Sequence, residues 1–413
     1  MLSLHPAGHR RKRASTRASK IGLAIAGGGP LGGMYELGAL RALDEALDGL
    51  DLTRLDSYVG ISSGAFLAAG LANRLDVEEM CRAFITGDSD DLEFRADVFM
   101  RPAFGEYAHR VAGLPRLAAD WARALLPGAV RGPSFGGVVP TGVFDNTGVE
   151  RFLREAFSRR GRSNDFRTLE AALHVVAVDL DSGEAALFGQ GELRDVPISQ
   201  AVQASAALPG LYPPVRIRGR HYVDGALRRT MHASVLLERD IDLLLGLNPL
   251  VPYSDRDAGD APRRRRRRPL ADGGLPAVLS QTFRTLLQSR MQVGLAKYAQ
   301  QYPDVDQLVF EPGDDASELF FLNAFSFSTR HRVCALGYRR TLDDLRARRD
   351  ALTPVLAAHG ITLRDDILAD PDRTLLDGLP PRRGRRTETT ARLHRALDDV
   401  ERLVGASPRK SLK

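Results

Sequence analysis

The chain is poor in the residue types that build disulfide scaffolds and metal sites. Its 413 residues include only two cysteines, Cys81 and Cys334, and both stand in apolar or helical surroundings. They predict two unpaired core thiols in a reducing compartment and exclude a disulfide-stapled scaffold. Because cysteines and histidines do not cluster anywhere along the chain, the sequence indicates no metal site.

Long apolar runs are also missing. No segment approaches the roughly 20 consecutive apolar residues of a membrane-spanning helix, and residues 1–20 lack the apolar core of a signal peptide. A transit peptide stays open for this segment, since it is basic and contains Ser and Thr. These absences predict a cytoplasmic protein, and they leave peripheral contact with the inner membrane face open.

The positive charge of +6 is concentrated in a few segments. Residues 1–20 hold six Arg or Lys and no acid, which predicts a disordered basic arm. Arg263–Arg268 form an unbroken arginine run inside a predicted insertion loop, 254–276. Such runs are most often solvated and silent. The alternative is that the basic segments attract an anionic membrane surface, near which each basic residue contributes about 1 kcal/mol. Nucleic acid is not expected, because no aromatic interleaving accompanies the charge. The oligomeric state stays unknown.

A serine motif lies between an extended stretch and an Ala-rich helical one. Gly60-Ile61-Ser62-Ser63-Gly64 matches the G-x-S-x-G nucleophile elbow, with residues 55–59 before it and 65–69 after it. In such an elbow the serine occupies a tight strand-to-helix turn that exposes its hydroxyl. The flanking pattern, more than the five letters, predicts Ser62 as a nucleophile.

A glycine loop follows the first predicted strand. Residues 21–26 are apolar and lead into Gly27-Gly28-Gly29-Pro30-Leu31-Gly32-Gly33, and a helical run follows. Backbone N–H groups at a helix start bind either a phosphate or the oxyanion of an acyl transfer. Gly27, Gly29 and Gly32 satisfy G-x-G-x-x-G, so a dinucleotide site stays open, whereas the missing Gly-Lys-Ser/Thr ending excludes a P-loop. The dinucleotide hypothesis needs an acid after a second strand, and the chain leads instead to Ser62.

Two downstream stretches complete a recognisable set. Val223-Asp224-Gly225-Ala226 contains an Asp-Gly-Ala motif, and residues 204–215 contain an Ala-Ser-x-Ala-x-Pro block that ends in Tyr-Pro-Pro. Asn248-Pro249 then follows an apolar strand. Together with the glycine loop and the serine elbow, these motifs resemble the patatin-like phospholipase family over roughly residues 20 to 330.

The resemblance implies a fold, a reaction and a set of residues. The fold is three-layer α/β/α with a mainly parallel central sheet. The reaction is hydrolysis of lipid carboxylic esters, in phospholipid or lysophospholipid, through an acyl-enzyme and without a cofactor or metal. The implied site comprises Ser62 as nucleophile, Asp224 as the dyad base, and an oxyanion hole formed by Gly27, Gly28, Gly29 and the amide of Ser63.

Two residues of the loop depart from the family pattern. Leu31 stands where the family usually has Arg or Lys, and Pro30 has no N–H to donate. A catalytically impaired lipid-binding scaffold is therefore an open alternative, against which the retained Ser62 and Asp224 argue.

A Ser-His-acid triad is the rival mechanism. His232, His331, His359 and His394 follow Asp224 and formally fit the chain order of α/β-hydrolases. None stands in a recognisable catalytic loop, so we predict structural or surface roles for them.

The domain organisation follows from these patterns. Residues 21–330 form one predicted acyl hydrolase domain, because strand and helix patterns alternate there almost without a break. Residues 331–413 form a predicted helical and basic C-terminal extension, with helices at 343–359 and 388–404.

Overall fold

The computed structural model describes residues 2–8, 18–89, 91–92, 94, 101–124, 139–250, 270–313 and 327–379. The strands of these segments are Leu2–His5 (β1), Ile21–Ile25 (β2), Leu47–Asp48 (β3), Ser57–Gly60 (β4), Ala172–Asp179 (β5), Ala185–Phe188 (β6), Val215–Ile217 (β7), Arg220–Asp224 (β8), Leu243–Leu247 (β9), Asp306–Phe310 (β10) and Thr362–Leu363 (β11). The α-helices are Gly29–Ala46 (α1), Ser63–Ala72 (α2), Val77–Cys81 (α3), Phe104–Ala124 (α4), Thr147–Phe157 (α5), Ile198–Ser205 (α6), Ser234–Leu237 (α7), Gly274–Gln301 (α8), Phe327–Ala347 (α9), Arg349–Ala357 (α10) and Asp365–Leu368 (α11). None of the described helices has the length and apolar character needed to cross a bilayer.

A mixed sheet forms the centre of the molecule. Its strand order is β1-β10-β9-β2-β4-β5-β8-β7, with β6 also paired to β5. The five strands from β10 to β5 are mutually parallel, whereas the strands at both edges run antiparallel to their neighbours. Carboxyl ends of parallel strands meet at one edge of a sheet, and ligand sites of open α/β sheets form there. The ends of β2 and β4 therefore bring the glycine loop and the serine elbow together.

Both faces of the sheet are covered. Along β2, Leu23 and Ile25 enter one apolar cluster with α1 and α2, whereas Ala24 enters a second cluster with α7 and the last turns of α8. This alternation follows from the two-residue period of a strand, and burial on both sides explains the nearly continuous apolar strand sequences. The predicted three-layer α/β/α architecture is confirmed.

The amino-terminal segment differs from the predicted disordered arm at its beginning. Residues 2–5 form β1, which pairs antiparallel with β10 and so covers that edge of the sheet. Leu2 is buried and Leu4 packs against the core, because an alternating apolar pattern precedes the basic residues. Residues 9–17, which carry most of the predicted positive charge of the arm, lie outside the described residues.

The described part of the predicted C-terminal extension packs directly on α1. Helix α9 crosses α1 closely, and two glycines make this approach possible. A Cβ at Gly38 would overlap the carbonyl oxygen of Cys334, and one at Gly337 would overlap that of Tyr35. The helix predicted at 343–359 is two helices, α9 and α10, which meet at Arg348. The helix predicted at 388–404 and the arginine run 263–268 both lie outside the described residues.

The two cysteines meet at this same helix contact. Cys81 and Cys334 are free and buried, as predicted, and their thiols hydrogen-bond each other. Burial raises the pKa of the Cys334 thiol well above its usual value, so this thiol is unreactive in the folded state.

A buried polar network fastens the same extension to α1. The Glu45 carboxylate accepts hydrogen bonds from the Tyr338 hydroxyl at 2.5 Å and from Arg373 Nε at 2.9 Å, and it also pairs with Arg41. Removing one partner of such a buried network leaves the other charges without compensation.

We expect Glu45→Ala to lower the free energy of unfolding by about 3 kcal/mol, because Arg41 and Arg373 lose their buried counter-charge. Urea unfolding followed by circular dichroism measures this loss. Arg54→Ala is the matched control, since Arg54 pairs with Asp51 at the exposed surface and its loss costs about 0.5 kcal/mol or less. Equal, small effects of the two variants would mean that the Glu45 network does not stabilise the packing of residues 327–379 on α1.

Candidate active site

The serine elbow is a sharp turn between β4 and α2. Ser62 has φ 53° and ψ −120°, a conformation that non-glycine residues rarely adopt. The two motif glycines are required by close packing, because a Cβ at Gly60 would lie 2.5 Å from Ala65 Cα and one at Gly64 would overlap the Ala26 carbonyl oxygen. The turn therefore brings the start of α2 into close contact with the end of β2.

Asp224 ends β8 and lies beside the elbow. Its carboxylate accepts a hydrogen bond from the Ala226 amide at 2.9 Å, and the Ser62 hydroxyl lies beside it. The side chain is buried, and burial raises its pKa to about 6, although the Ala226 amide and the Ser62 hydroxyl both favour the ionised form. A Cβ at Gly225 would overlap the Val176 carbonyl oxygen, which explains the glycine that follows the aspartate.

A second serine fixes the elbow from below. Ser205, at the end of α6, accepts the Ser62 amide at 2.8 Å and donates its own proton to the Val176 carbonyl at 2.6 Å. Asp224 is held by the same block, since its amide donates to the Ala207 carbonyl at 3.0 Å. The sequence showed the Ala-Ser-x-Ala-x-Pro block but predicted no role for Ser205. A serine within a buried apolar helix was the feature that could have indicated one.

The glycine loop lies against Ser62. A Cβ at Gly27 would be 3.0 Å from Ser62 Cβ, and Gly29 has φ 65° with open space around it. Gly28 is packed more tightly: its amide donates to Ser63 Oγ at 3.0 Å, and a Cβ there would overlap Pro249. Within the described segments, the amides of Gly27, Gly29 and Ser63 have no hydrogen-bond acceptor.

Leu31, the departure from the family loop, is a core residue. It is buried in a small apolar cluster with Tyr35 of α1 and Val333 of α9. A lysine or arginine here would face an apolar helix contact, so the leucine fits the packing of α9 on α1.

The histidines do not complete a triad among the described residues. His359 hydrogen-bonds Asp306 at 2.8 Å and Ser19 at 2.6 Å at the opposite, amino-terminal edge of the sheet, beside a cavity of about 340 Å³. His232 is buried, and burial together with Arg229 and Arg228 lowers its pKa to about 3. His331 is half-buried on α9, and His394 lies outside the described residues. The groups that act on the Asp224 carboxylate are the Ala226 amide and the Ser62 hydroxyl, and no imidazole of the described residues is among them.

The geometry also argues against the dinucleotide hypothesis. Strand β4 is the first strand of the central sheet after α1 along the chain. It ends in Gly60 and continues into Ile61 and Ser62, so it offers no acid for a ribose. The glycine loop contacts Ser62 instead. A hydroxyl held by a buried carboxylate, with unengaged amides nearby, is an arrangement that can perform nucleophilic acyl transfer.

We expect Ser62→Gly to be more stable than Ser62→Ala by about 1 kcal/mol, because glycine relieves the strained backbone and alanine keeps it. Thermal or urea unfolding of the two variants measures the difference. The matched pair Ser57→Gly and Ser57→Ala, inside β4, should give the opposite order, since glycine weakens a regular strand. The same order at both positions would show that Ser62 is not strained.

Comparison with solved structures gives matches of low sequence identity. Among solved structures the chain is similar to VipD from Legionella pneumophila, at 16% identity and a TM-score of 0.37 over 88% of this chain and 71% of that one. It is also similar to the type III effector ExoU of Pseudomonas aeruginosa, at 15% identity and a TM-score of 0.33 over 96% and 66% of the two chains. Human GIVD cytosolic phospholipase A2 gives 15% identity and a TM-score of 0.32 over 81% and 60%.

Curated relatives match part of their own length. An uncharacterized NTE family protein of Mycobacterium bovis is 29% identical over 246 residues, which are 57% of this chain and 32% of that protein. One of Mycobacterium tuberculosis gives the same figures. The chain thus spans about a third of the length of these relatives. The sequence profile of the patatin-like phospholipase family matches residues 23–237, just over half of the chain. With the elbow, the aspartate and the glycine loop gathered at one edge of the sheet, this match shows that the chain belongs to the patatin-like phospholipase family.

Proposed function

We propose that this protein is a serine acyl hydrolase that cleaves carboxylic esters of phospholipids or lysophospholipids. The observation that carries the proposal is the Ser62 hydroxyl, on a strained elbow, beside the buried Asp224 carboxylate, whose ionised form it favours. Membership of the patatin-like phospholipase family supports the lipid substrate class. The resident chemistry is complete without a cofactor or metal.

The reaction proceeds in two halves. Ser62 Oγ attacks the ester carbonyl carbon, and its proton passes to Asp224 while backbone amides bind the oxyanion. The intermediate then expels the alcohol, which takes the proton from Asp224 and leaves an acyl-Ser62 ester. Water attacks this ester, gives a proton to Asp224 and releases the fatty acid, and the proton returns to Ser62.

Burial makes Asp224 a better base than an ordinary aspartate. A free carboxylate holds a proton weakly at neutral pH, whereas a pKa near 6 brings proton affinity close to the working pH. The hydrogen bond from the Ala226 amide adds orientation, which an exposed carboxylate lacks.

The oxyanion donors in this proposal are backbone amides near the elbow. The amides of Gly27, Gly29 and Ser63 are candidates, since none has an acceptor among the described residues. Gly28 belonged to the set expected from the sequence, but its amide is engaged by Ser63 Oγ in this structure. Pro30 has no N–H to donate, and the buried side chain of Leu31 contributes no cation to the hole.

Contact with a lipid surface remains a prediction. The arginine run 263–268 and residues 9–17, the segments expected to attract anionic headgroups, lie outside the described residues. One described feature favours such contact: the first half of α8 exposes Val278, Leu279, Phe283 and Leu286, although its second half packs on the core. Exposed apolar helix faces of this kind insert into interfaces.

We expect fatty acid release from mixed micelles of phospholipid and lysophospholipid by the wild type, and loss to background in both Ser62→Ala and Asp224→Asn. Each variant removes a group that takes part in every bond-making step. Mass spectrometry of the released products identifies the lipid class. Ser57→Ala is the matched control, because the Ser57 hydroxyl is buried without a partner in β4 and its loss leaves turnover unchanged.

Activity that survives Ser62→Ala would exclude the mechanism. An inactive wild type that still binds the micelles would favour the scaffold alternative.

The pH dependence should report Asp224. We expect kcat/KM to rise with pH with a midpoint near 6, because the base must be ionised to accept the proton. Stability should show the reverse trend. The raised pKa means that the folded state favours protonated Asp224, so this contribution is complete below about pH 4 and is lost as pH rises through 6.

Relative to Asp224→Asn, the wild type should therefore lose up to about 3 kcal/mol of unfolding free energy between pH 4 and pH 7. Asp179→Asn is the control of opposite sign, because the Arg220 guanidinium lowers the pKa of Asp179. A stability difference between Asp224→Asn and wild type that stays constant across this pH range would contradict a raised pKa at Asp224.

A further inference from the structure

A buried glutamate lies behind the glycine loop and has no role in the reaction described above. Glu36, in the second turn of α1, is fully buried, and its Oε2 accepts the Ser63 hydroxyl at 3.3 Å. Its Oε1 has no hydrogen-bond partner among the described residues. Carboxyl groups are rarely retained in such surroundings, since an apolar residue of similar size would avoid the desolvation cost.

Ser63 connects this carboxyl group to the loop. Its hydroxyl accepts the Gly28 amide at 3.0 Å and donates its own proton to Glu36, so one oxygen completes a chain of two hydrogen bonds. Ser63 follows the nucleophile directly and begins α2. The chain Glu36–Ser63–Gly28 therefore ties the glycine loop to the elbow.

The tie adds a restraint to the Gly28 backbone. Gly27, Gly28 and Gly29 have no side chains to restrain them, and glycine loses the most conformational freedom on ordering. At Gly28 the carbonyl is held by the Gly32 amide at 3.1 Å and the Cα by Pro249, so the bond to Ser63 is its third restraint. With φ −152° and ψ 11° set at Gly28, the direction of the next amide, that of Gly29, follows.

We propose that Glu36 and the Ser63 hydroxyl are positioning residues that hold the Gly28 peptide, so that the amides of Gly29 and Ser63 serve as the oxyanion donors. This inference rests on the proposed acyl hydrolase function. It takes Gly28 out of the oxyanion hole and gives it a structural part, because an amide already bound at 3.0 Å cannot also make a full hydrogen bond to the oxyanion. Preorganised donors stabilise the transition state more than the bound ester, so their loss affects kcat rather than KM.

The test compares Glu36→Met, Glu36→Gln and Ser63→Ala with the wild type, using ester hydrolysis in micelles. Methionine fills similar volume without an acceptor, whereas glutamine keeps the acceptor oxygen and the shape. We expect kcat to fall about tenfold in Glu36→Met and in Ser63→Ala, with KM changed less than twofold, since the donors remain but lose their restraint. Glu36→Gln should keep kcat within about threefold of the wild type, because the Ser63 hydroxyl retains its acceptor.

Stability separates positioning from a structural role. The melting temperature of Glu36→Met should equal or exceed that of the wild type, because a buried polar atom without a partner disappears. A lower melting temperature together with a lower kcat would indicate a structural residue and overturn the proposal. Ser63→Ala, a small change at a helix start, provides an independent arm if Glu36→Met does not fold.

The outcomes also separate this inference from the proposed function. A wild type whose activity depends on Ser62, combined with unchanged or raised kcat in Ser63→Ala and Glu36→Met, would overturn the positioning role alone. A wild type without Ser62-dependent activity would remove the function on which the inference rests.

Discussion

The carbonyl oxygen of Val176 is the point at which the two halves of the candidate site meet. It accepts the Ser205 hydroxyl, whose oxygen in turn holds the amide of Ser62, and its position leaves room only for glycine after Asp224. Because β5 lies between the strand that carries the serine and the strand that carries the aspartate, one backbone oxygen of β5 sets the separation of the two groups. The interaction of the Ser62 hydroxyl with the Asp224 carboxylate depends on this separation.

The site accumulates costs that a stability-optimised protein would avoid. Ser62 has a strained backbone, Asp224 is ionisable and buried, and Glu36 has a buried oxygen without a described partner. Burial also raises the pKa of Glu36 well above its usual value. Such costs of one to a few kcal/mol each persist where the surrounding structure over-determines the conformation. Here the two apolar clusters on the faces of the sheet provide that surrounding structure.

The C-terminal part, residues 327–379, has a role that its sequence did not predict. Helix α9 crosses α1 where Gly38 and Gly337 allow backbone contact, and Val333 packs on Leu31 of the glycine loop. Since α1 begins at Gly29, a helix that fixes α1 also fixes the glycine loop from Gly29 onward. The Glu45 network with Tyr338 and Arg373 fastens the same pair of helices further along. A segment predicted to be an extension is therefore part of the support of the site.

The sequence by itself determined the local elements and the motif residues. The apolar runs at 21–26, 173–180 and 242–247 predicted β2, β5 and β9 to within a residue or two, because strands buried on both faces admit few polar residues. The serine elbow could be predicted for a similar reason. Its glycines are required by contacts with residues a few positions away or at the end of the adjoining strand. Only the tertiary structure decided which distant groups meet: Ser205 under Ser62, Glu36 behind Ser63, Pro249 against Gly28, and β1 on the edge of β10. These pairings join residues up to about 300 positions apart, and hydrogen bonding and burial at that separation depend on the packing of whole layers, which no local pattern encodes.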